Sequence, residues 1–201
     1  FAWVLFCLIF GCAAPAVLVA PGFTGNSLDQ GGIAILPTLA GQTAQGTVGL
    51  EPYCRAAGEN INVYLKKKHP NLRILGPSEV SNVLAKENLV KDYAQTMENY
   101  KTVKIIDTDS VSKISKPLGV KYLFISEINS LYPKGSTAVA VLSGRIVNVE
   151  SAETVFEYSA KQELSSLLGG LTGPNYQKAV DYAGQKIIDK LEMVYKKGSS
   201  E

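Results

Sequence analysis

The chain has 201 residues and a mass of 21.6 kDa, the size of one ordinary domain or of one domain with a tail. Lys and Arg total 20 against 18 Asp and Glu, so the net charge of +2 excludes nucleic-acid binding by bulk positive charge. One histidine, His69, and three cysteines leave no set of spaced ligands for a zinc site, and neither a metal nor a cofactor is expected.

Charge is distributed unevenly. Between Phe1 and Leu50 the only charged residue is Asp29, whereas the rest has the charge density of an ordinary soluble domain. The first stretch, Phe1-Ala-Trp-Val-Leu-Phe-Cys-Leu-Ile-Phe-Gly-Cys12, has an apolar core and no basic start. Residues 1–11 are therefore expected to be a signal peptide truncated at its beginning. Ile9-Phe10-Gly11-Cys12 resembles a bacterial lipobox, with Cys12 as the acylated mature N-terminus, although Phe10 is bulkier than that pattern prefers. An uncleaved anchor, an ordinary secretory signal and a buried N-terminal segment are the other readings, because Phe1–Phe23 carries no charge and reaches the length of a membrane span. Pro15, Pro21 and Gly22 weaken it as one continuous helix. Ala13, not Asp, follows the cysteine, which by resemblance to bacterial sorting rules points to the periplasmic face of the outer membrane, with inner-membrane anchoring or secretion as alternatives. With Cys7 removed and Cys12 acylated, Cys54 is the one thiol left, and its helical setting predicts a small buried hydrophobe.

Residues 12–32 read as the lipidated N-terminus and a linker, and 33–197 as one globular periplasmic domain. Ile33–Pro37 is a short continuous apolar run, predicted to be a buried strand. Gly41–Gly49 lies between strand and helix, where phosphate loops occur, but lacks the Gly-Lys-Ser/Thr such loops need and is read as a connection. Pro52 is predicted at the first position of a helix that presents Tyr53, Ala57, Ile61, Tyr64 and Leu65 and closes on Lys66-Lys67-Lys68. His69 then sits at a solvated helix end. Leu72–Leu75 predicts a brief strand. Three short helices follow: one from Gly76-Pro77-Ser78, one marked by Leu89, Tyr93, Met97 and Tyr100, and one capped by Thr108.

Val120–Ile128 predicts a central strand and Tyr132–Gly135 a hairpin turn. Ala138–Val149 predicts a long strand, in which Gly144 signals a bulge or a close backbone approach. Thr154–Leu164 mostly alternates, with Phe156, Tyr158, Ala160 and Leu164 on one face and Gln162 as the exception there. Gly173-Pro174 opens a last helix with Tyr176, Val180, Ala183, Ile187, Leu191 and Val194 inward. The order β-α-β-α-α-α-β-β-β-α defines an α/β (α+β) sandwich, with helices on a mixed, largely antiparallel sheet of about five strands.

No catalytic constellation emerges. His69 has no nucleophile or orienting group near it in sequence, and Asp107 and Asp109 suit a helix start better than an acid/base pair. The chain is read as not an enzyme, with no small-molecule substrate evident. The best surface signal is Leu167, Leu168 and Leu171 among Gly169, Gly170 and Gly173, either packed on the core or exposed as a partner-binding patch.

Ile33–Pro37, Ile74-Leu-Gly-Pro-Ser-Glu-Val80, Leu118–Ile125, and Gly144–Val149 with Thr154-Val-Phe156 resemble the CsgG/LpoB/TolB-N-terminal superfamily of envelope lipoproteins, over roughly residues 33–165. Ala152 stands where relatives commonly have glycine. That resemblance implies binding and assembly rather than catalysis: a non-catalytic accessory factor of the cell envelope, held to the outer membrane by the lipid and contacting an envelope protein or itself. The alternative is a subunit of an oligomeric curli-type outer-membrane secretion channel, for whose extra membrane hairpins the chain has little room.

Overall fold

The strand that starts the domain core is Ile33–Ile35 (β2), and all three of its residues are buried. It belongs to a computed structural model that describes residues 17–41, 50–165 and 174–197. Two elements precede it, β1 (Leu18–Val19) and α1 (Gly25–Asp29). Then come β3 (Leu39–Ala40), α2 (Leu50–Lys68), β4 (Ile74–Leu75), α3 (Pro77–Lys86), α4 (Val90–Val103) and α5 (Thr108–Ser115). A 3-10 turn over Lys116–Leu118 leads to β5 (Tyr122–Lys134), β6 (Thr137–Asn148), β7 (Thr154–Ser165) and α6 (Tyr176–Lys197).

The seven strands form one mixed sheet in the order β1-β7-β6-β5-β2-β4, with β3 also on β5. β5, β6 and β7 make an antiparallel meander, while β2 runs parallel to both β5 and β4. Ile33 pairs with Tyr122 and Leu39 with Glu127, so β2 and β3 are two pieces of one line along β5. Pro37 lies between them, where it has no N–H to offer a ladder. Helices cover both faces. On one, α2 and α6 pack over Ile33, Ile35, Phe124, Leu142, Ile146 and Phe156. On the other, α3, α4 and α5 enclose Ala34, Leu36, Leu123, Ile125 and Val147. Fold class and element order are those expected, with β1, α1 and β3 added.

The differences have local causes. From Val17 the chain is part of the body rather than a linker: Leu18 pairs with Glu157, and Phe23 and Leu28 are buried in the core. α2 starts at Leu50, two residues before Pro52. Proline is tolerated there because first-turn N–H groups have no intrahelical acceptor, and Leu50 packs against the core. α5 is capped by Asp107 instead of Thr108; its carboxylate accepts from Ser110 N at 2.9 Å, which holds the carboxyl below its usual range. β5 runs through Tyr132-Pro133-Lys134, and the turn falls at Gly135-Ser136, with Gly135 at φ 61. Beyond Ile128, β5 has no strand on its outer side among the described residues, so Pro133 costs no ladder bond there.

Ala152 follows the turn after β6 with φ 56, a left-handed conformation in which Cβ crowds the backbone. The superfamily resemblance marked this position as one where glycine is common. Ala152→Gly is expected to raise stability by about 1 kcal/mol, because relief of the left-handed strain exceeds the added freedom of the unfolded chain. Urea denaturation measures it, and an unchanged or lower midpoint would contradict the strain.

Candidate functional site

At the C-terminal end of β2 a cleft of about 410 Å³ opens between the first turns of α2 and α3. Crevices at the carboxyl ends of parallel strands are where ligands bind in open α/β sheets. Its walls include Thr38, Glu51, Cys54, Arg55, Glu59 and Ser78. Most of this polarity is already paired. Glu59 Oε1 accepts from Ser78 N at 3.2 Å and Ser78 Oγ at 2.6 Å. Thr38 Oγ1 and Ser126 Oγ share a buried bond of 2.7 Å. Cys54 is buried, and burial, then the Glu51 carboxylate, pushes its thiol up to about 11. At neutral pH it stays protonated and therefore a poor nucleophile.

The chain's single imidazole lies elsewhere. His69 follows the last turn of α2, about 22 Å along the helix from Cys54. It is not the solvated end group that its neighbours Lys66–Lys68 suggest. It is 8% exposed, its Nε2 is 2.9 Å from Glu192 Oε2, and its ring rests on Tyr195 with centroids 4.2 Å apart. The cause is that α6 lies along α2 and covers its C-terminus. Tyr195 also reaches Asp29 of α1, so His69, Glu192, Tyr195 and Asp29 fasten three helix ends together. This is a latch rather than a base with a substrate.

A second group of charges, which the sequence reading missed, lies on the opposite face of the sheet. α4 ends at Lys104, which is left-handed at φ 58, with its N–H on Tyr100 O at 2.8 Å. Lys104 Nζ donates to both oxygens of Glu127, at 2.7 and 2.6 Å. Arg145 Nη1 donates to Lys104 O at 2.6 Å, and its Nη2 to Glu157 at 2.8 Å. Both cations lie 5.5 Å from the Tyr100 ring centroid. Arg145 thus serves the carbonyl end of α4, where cations are favoured, and the cluster ties that helix to β5, β6 and β7. The available signal was Glu127, a lone carboxylate inside an apolar strand.

Burial raises the Tyr100 hydroxyl to about 12, against the pull of Arg145, and raises Tyr93 further. A tyrosine whose folded value exceeds its unfolded value of about 10 favours the native state fully below pH ~10. That contribution is lost as pH rises from there through about 12. Stability is therefore expected to fall steeply between pH ~10 and ~12, with the tyrosinate absorbance of these two groups appearing only as the chain unfolds. Tyrosinate absorbance that rises in full while circular dichroism stays native would contradict the burial.

The expected lipid site Cys12 and the expected partner patch Leu167, Leu168 and Leu171 lie outside the described residues. Among the described residues no group of three or more His, Cys, Asp or Glu is placed to hold a metal ion, and no helix is long and apolar enough to cross a membrane.

A mixed sheet between a two-helix and a three-helix layer is a fold that this chain shares with solved structures of low sequence identity. The chain is similar in structure to the PelC dodecamer of Paraburkholderia phytofirmans, with TM-score 0.54 and 8% identity, covering 89% of this chain and 96% of that one. It is also similar to lipoprotein GNA1162 of Neisseria meningitidis, with TM-score 0.50 and 9% identity, covering 81% and 99%. The LpoB C-terminal domain of Escherichia coli is more distant, at TM-score 0.39 and 12% identity over 73% and 88%. At these identities the likeness shows the fold. No family model and no curated protein sequence matches the chain.

Proposed function

We propose that the chain is a lipid-anchored envelope protein at the periplasmic face of the outer membrane, acting through binding and assembly rather than catalysis. The observation that carries this reading is the fold shared, over most of both chains, with a lipoprotein and with a subunit of a dodecamer. The leader ending Ile9-Phe10-Gly11-Cys12 supplies the anchor in this reading. The chemistry of the body agrees with it: the cleft thiol is held protonated, and the imidazole is engaged at a helix junction. The dodecameric neighbour supports self-association as one mode of assembly. Leu167, Leu168 and Leu171 are the proposed contact for an envelope protein partner.

Intact-mass analysis of the membrane-extracted protein tests the anchor. The expected mature chain begins at Cys12 with a diacylglycerol thioether, and Cys12→Ser is expected to leave the leader uncleaved and the lipid absent. An unmodified Cys12 on a processed chain overturns the lipoprotein reading. Light scattering of the detergent-extracted protein tests assembly: a defined oligomer is expected, ring-sized particles would favour the channel reading, and a strict monomer removes self-association.

A further inference from the structure

Among the described residues, the outer edge of β7 is uncovered past Glu157. β1 covers it only at Phe156 and Glu157, whereas β6 accompanies it to Ser165. Ala20 N donates to Val155 O, and peptide groups alternate in direction along an antiparallel strand. The odd-numbered residues from Glu157 onward therefore turn their N–H and C=O away from β6. Side-chain bonds mark the same groups: Lys161 O accepts from Lys186 Nζ at 3.1 Å, and Glu163 O from Gln162 Nε2 at 2.8 Å. Among the described residues no strand pairs with Ser159, Lys161, Glu163 or Ser165 on that side.

The side chains along this edge are self-complementary. Lys161 and Glu163 project from one face of the sheet, 2.7 Å apart, and both are exposed. Ala160, Gln162 and Leu164 project from the other face, towards α6, with Ala160 buried and Leu164 packed against the core. We propose that the open edge of β7 pairs antiparallel with the same edge of a second copy of this chain, about a two-fold axis at Gln162, so that the two sheets become continuous.

Charge selects this register. With the axis at Gln162, Lys161 lies opposite Glu163 of the second copy and Glu163 opposite its Lys161. Ser159 faces Ser165, and Ala160 faces Leu164. An axis at Lys161 would set lysine against lysine, and one at Glu163 glutamate against glutamate, both unfavourable directly across a ladder. Lysines ordinarily guard a sheet edge against pairing. Here the guard carries its own counter-charge two residues on, so it excludes other strands and admits its own copy. Lys186 and Gln162 hold the two outward carbonyls in the single chain and release them to the N–H groups of the second strand. The competing occupant is this chain's own upstream segment. Continued in the register of β1, it would place Ala14 against Lys161 and Cys12 against Glu163, which offers neither charge a partner.

This inference rests on the self-association part of the proposed function, and its test separates the two. The full chain is prepared in detergent with Cys7→Ser and Cys12→Ser, leaving buried Cys54 as the native thiol. Added Gln162→Cys is expected to form an intermolecular disulfide under mild oxidation, since residues on the axis approach to about 4.5 Å between Cα atoms. Lys161→Cys is not, because its counterpart lies about 7–8 Å away on the diagonal. Lys161→Glu alone is expected to weaken association at least about tenfold by sedimentation, and the charge swap Lys161→Glu with Glu163→Lys to restore it. Equal cross-linking at both positions, or a swap that fails to restore association, overturns the register. An oligomer that persists in Lys161→Glu with no Gln162→Cys disulfide overturns the edge while leaving self-association standing. A monomer under every condition removes both.

Discussion

Gly144→Val is expected to leave little folded protein, and Gly144→Ala to cost about 1–3 kcal/mol, the usual penalty of forcing extra atoms into a filled core. Gly144 lies in the middle of β6, between Ser126 of β5 and Tyr158 of β7. A Cβ there would stand 2.6 Å from Ile187 Cγ2 and 2.9 Å from Phe124 Cζ. Both neighbours are fully enclosed: Ile187 belongs to the buried stripe of α6, and Phe124 is among the largest buried side chains. Neither has an empty rotamer to move into at native packing density. The absence of a side chain at Gly144 is therefore what lets α6 lie close on the sheet. For a domain of this size, about 2–4 °C of melting temperature accompanies each kcal/mol, so thermal unfolding of Gly144→Ala should come several degrees early. Ile187→Ala is itself costly in this core, but with it added the double variant should be less destabilised than the sum of the two singles. Additive destabilisation in the double variant would show that the clash is not the cause.

Gly144 also shows how far the sequence can be read. A glycine inside a strand signals a bulge or a close approach, and the close approach is what occurs. The register shifts of the sheet fall elsewhere, at Ile128/Ser130 and Ile146/Val147, where no glycine marks them. Periodic segments were legible because burial on one face leaves a repeating pattern, as in the stripe Val180, Ala183, Ile187 and Leu191. The two-residue strands β1 and β3 were not, since two residues carry no period; β4, equally short, was legible from the stops on either side of it, His69-Pro70-Asn71 and Gly76-Pro77. The latch at His69 was illegible, and the cluster at Glu127 showed no more than its lone carboxylate, for a different reason. Each joins residues far apart in the chain, and the lysines beside His69 describe its local neighbours, not α6, which the fold lays over it. Solvation inferred from sequence neighbours fails wherever a second helix arrives.

The cluster at Glu127 carries the other large expected effect. Lys104→Ala should destabilise the protein by about 2–3 kcal/mol, whereas Glu127→Ala should cost about 1 kcal/mol. The asymmetry follows from burial. The Glu127 side chain is 5% exposed and the Lys104 side chain 42%. Without Glu127, the Lys104 ammonium can turn to water, and Arg145 keeps Glu157 and the main-chain carbonyl at position 104. Without Lys104, the buried Glu127 carboxylate loses the two hydrogen bonds it accepts from the ammonium and keeps only the charge of Arg145 nearby. Glu127→Gln separates charge from shape, since it keeps the volume and an acceptor oxygen, and it should cost less than Glu127→Ala. The double variant Glu127→Ala with Lys104→Ala should be less destabilised than the sum of the singles, because removing the second charge relieves what the first left unbalanced. Chemical denaturation of the four proteins closes that cycle. Strict additivity would mean that Lys104 and Glu127 act independently and that the cluster does not brace α4 against the sheet.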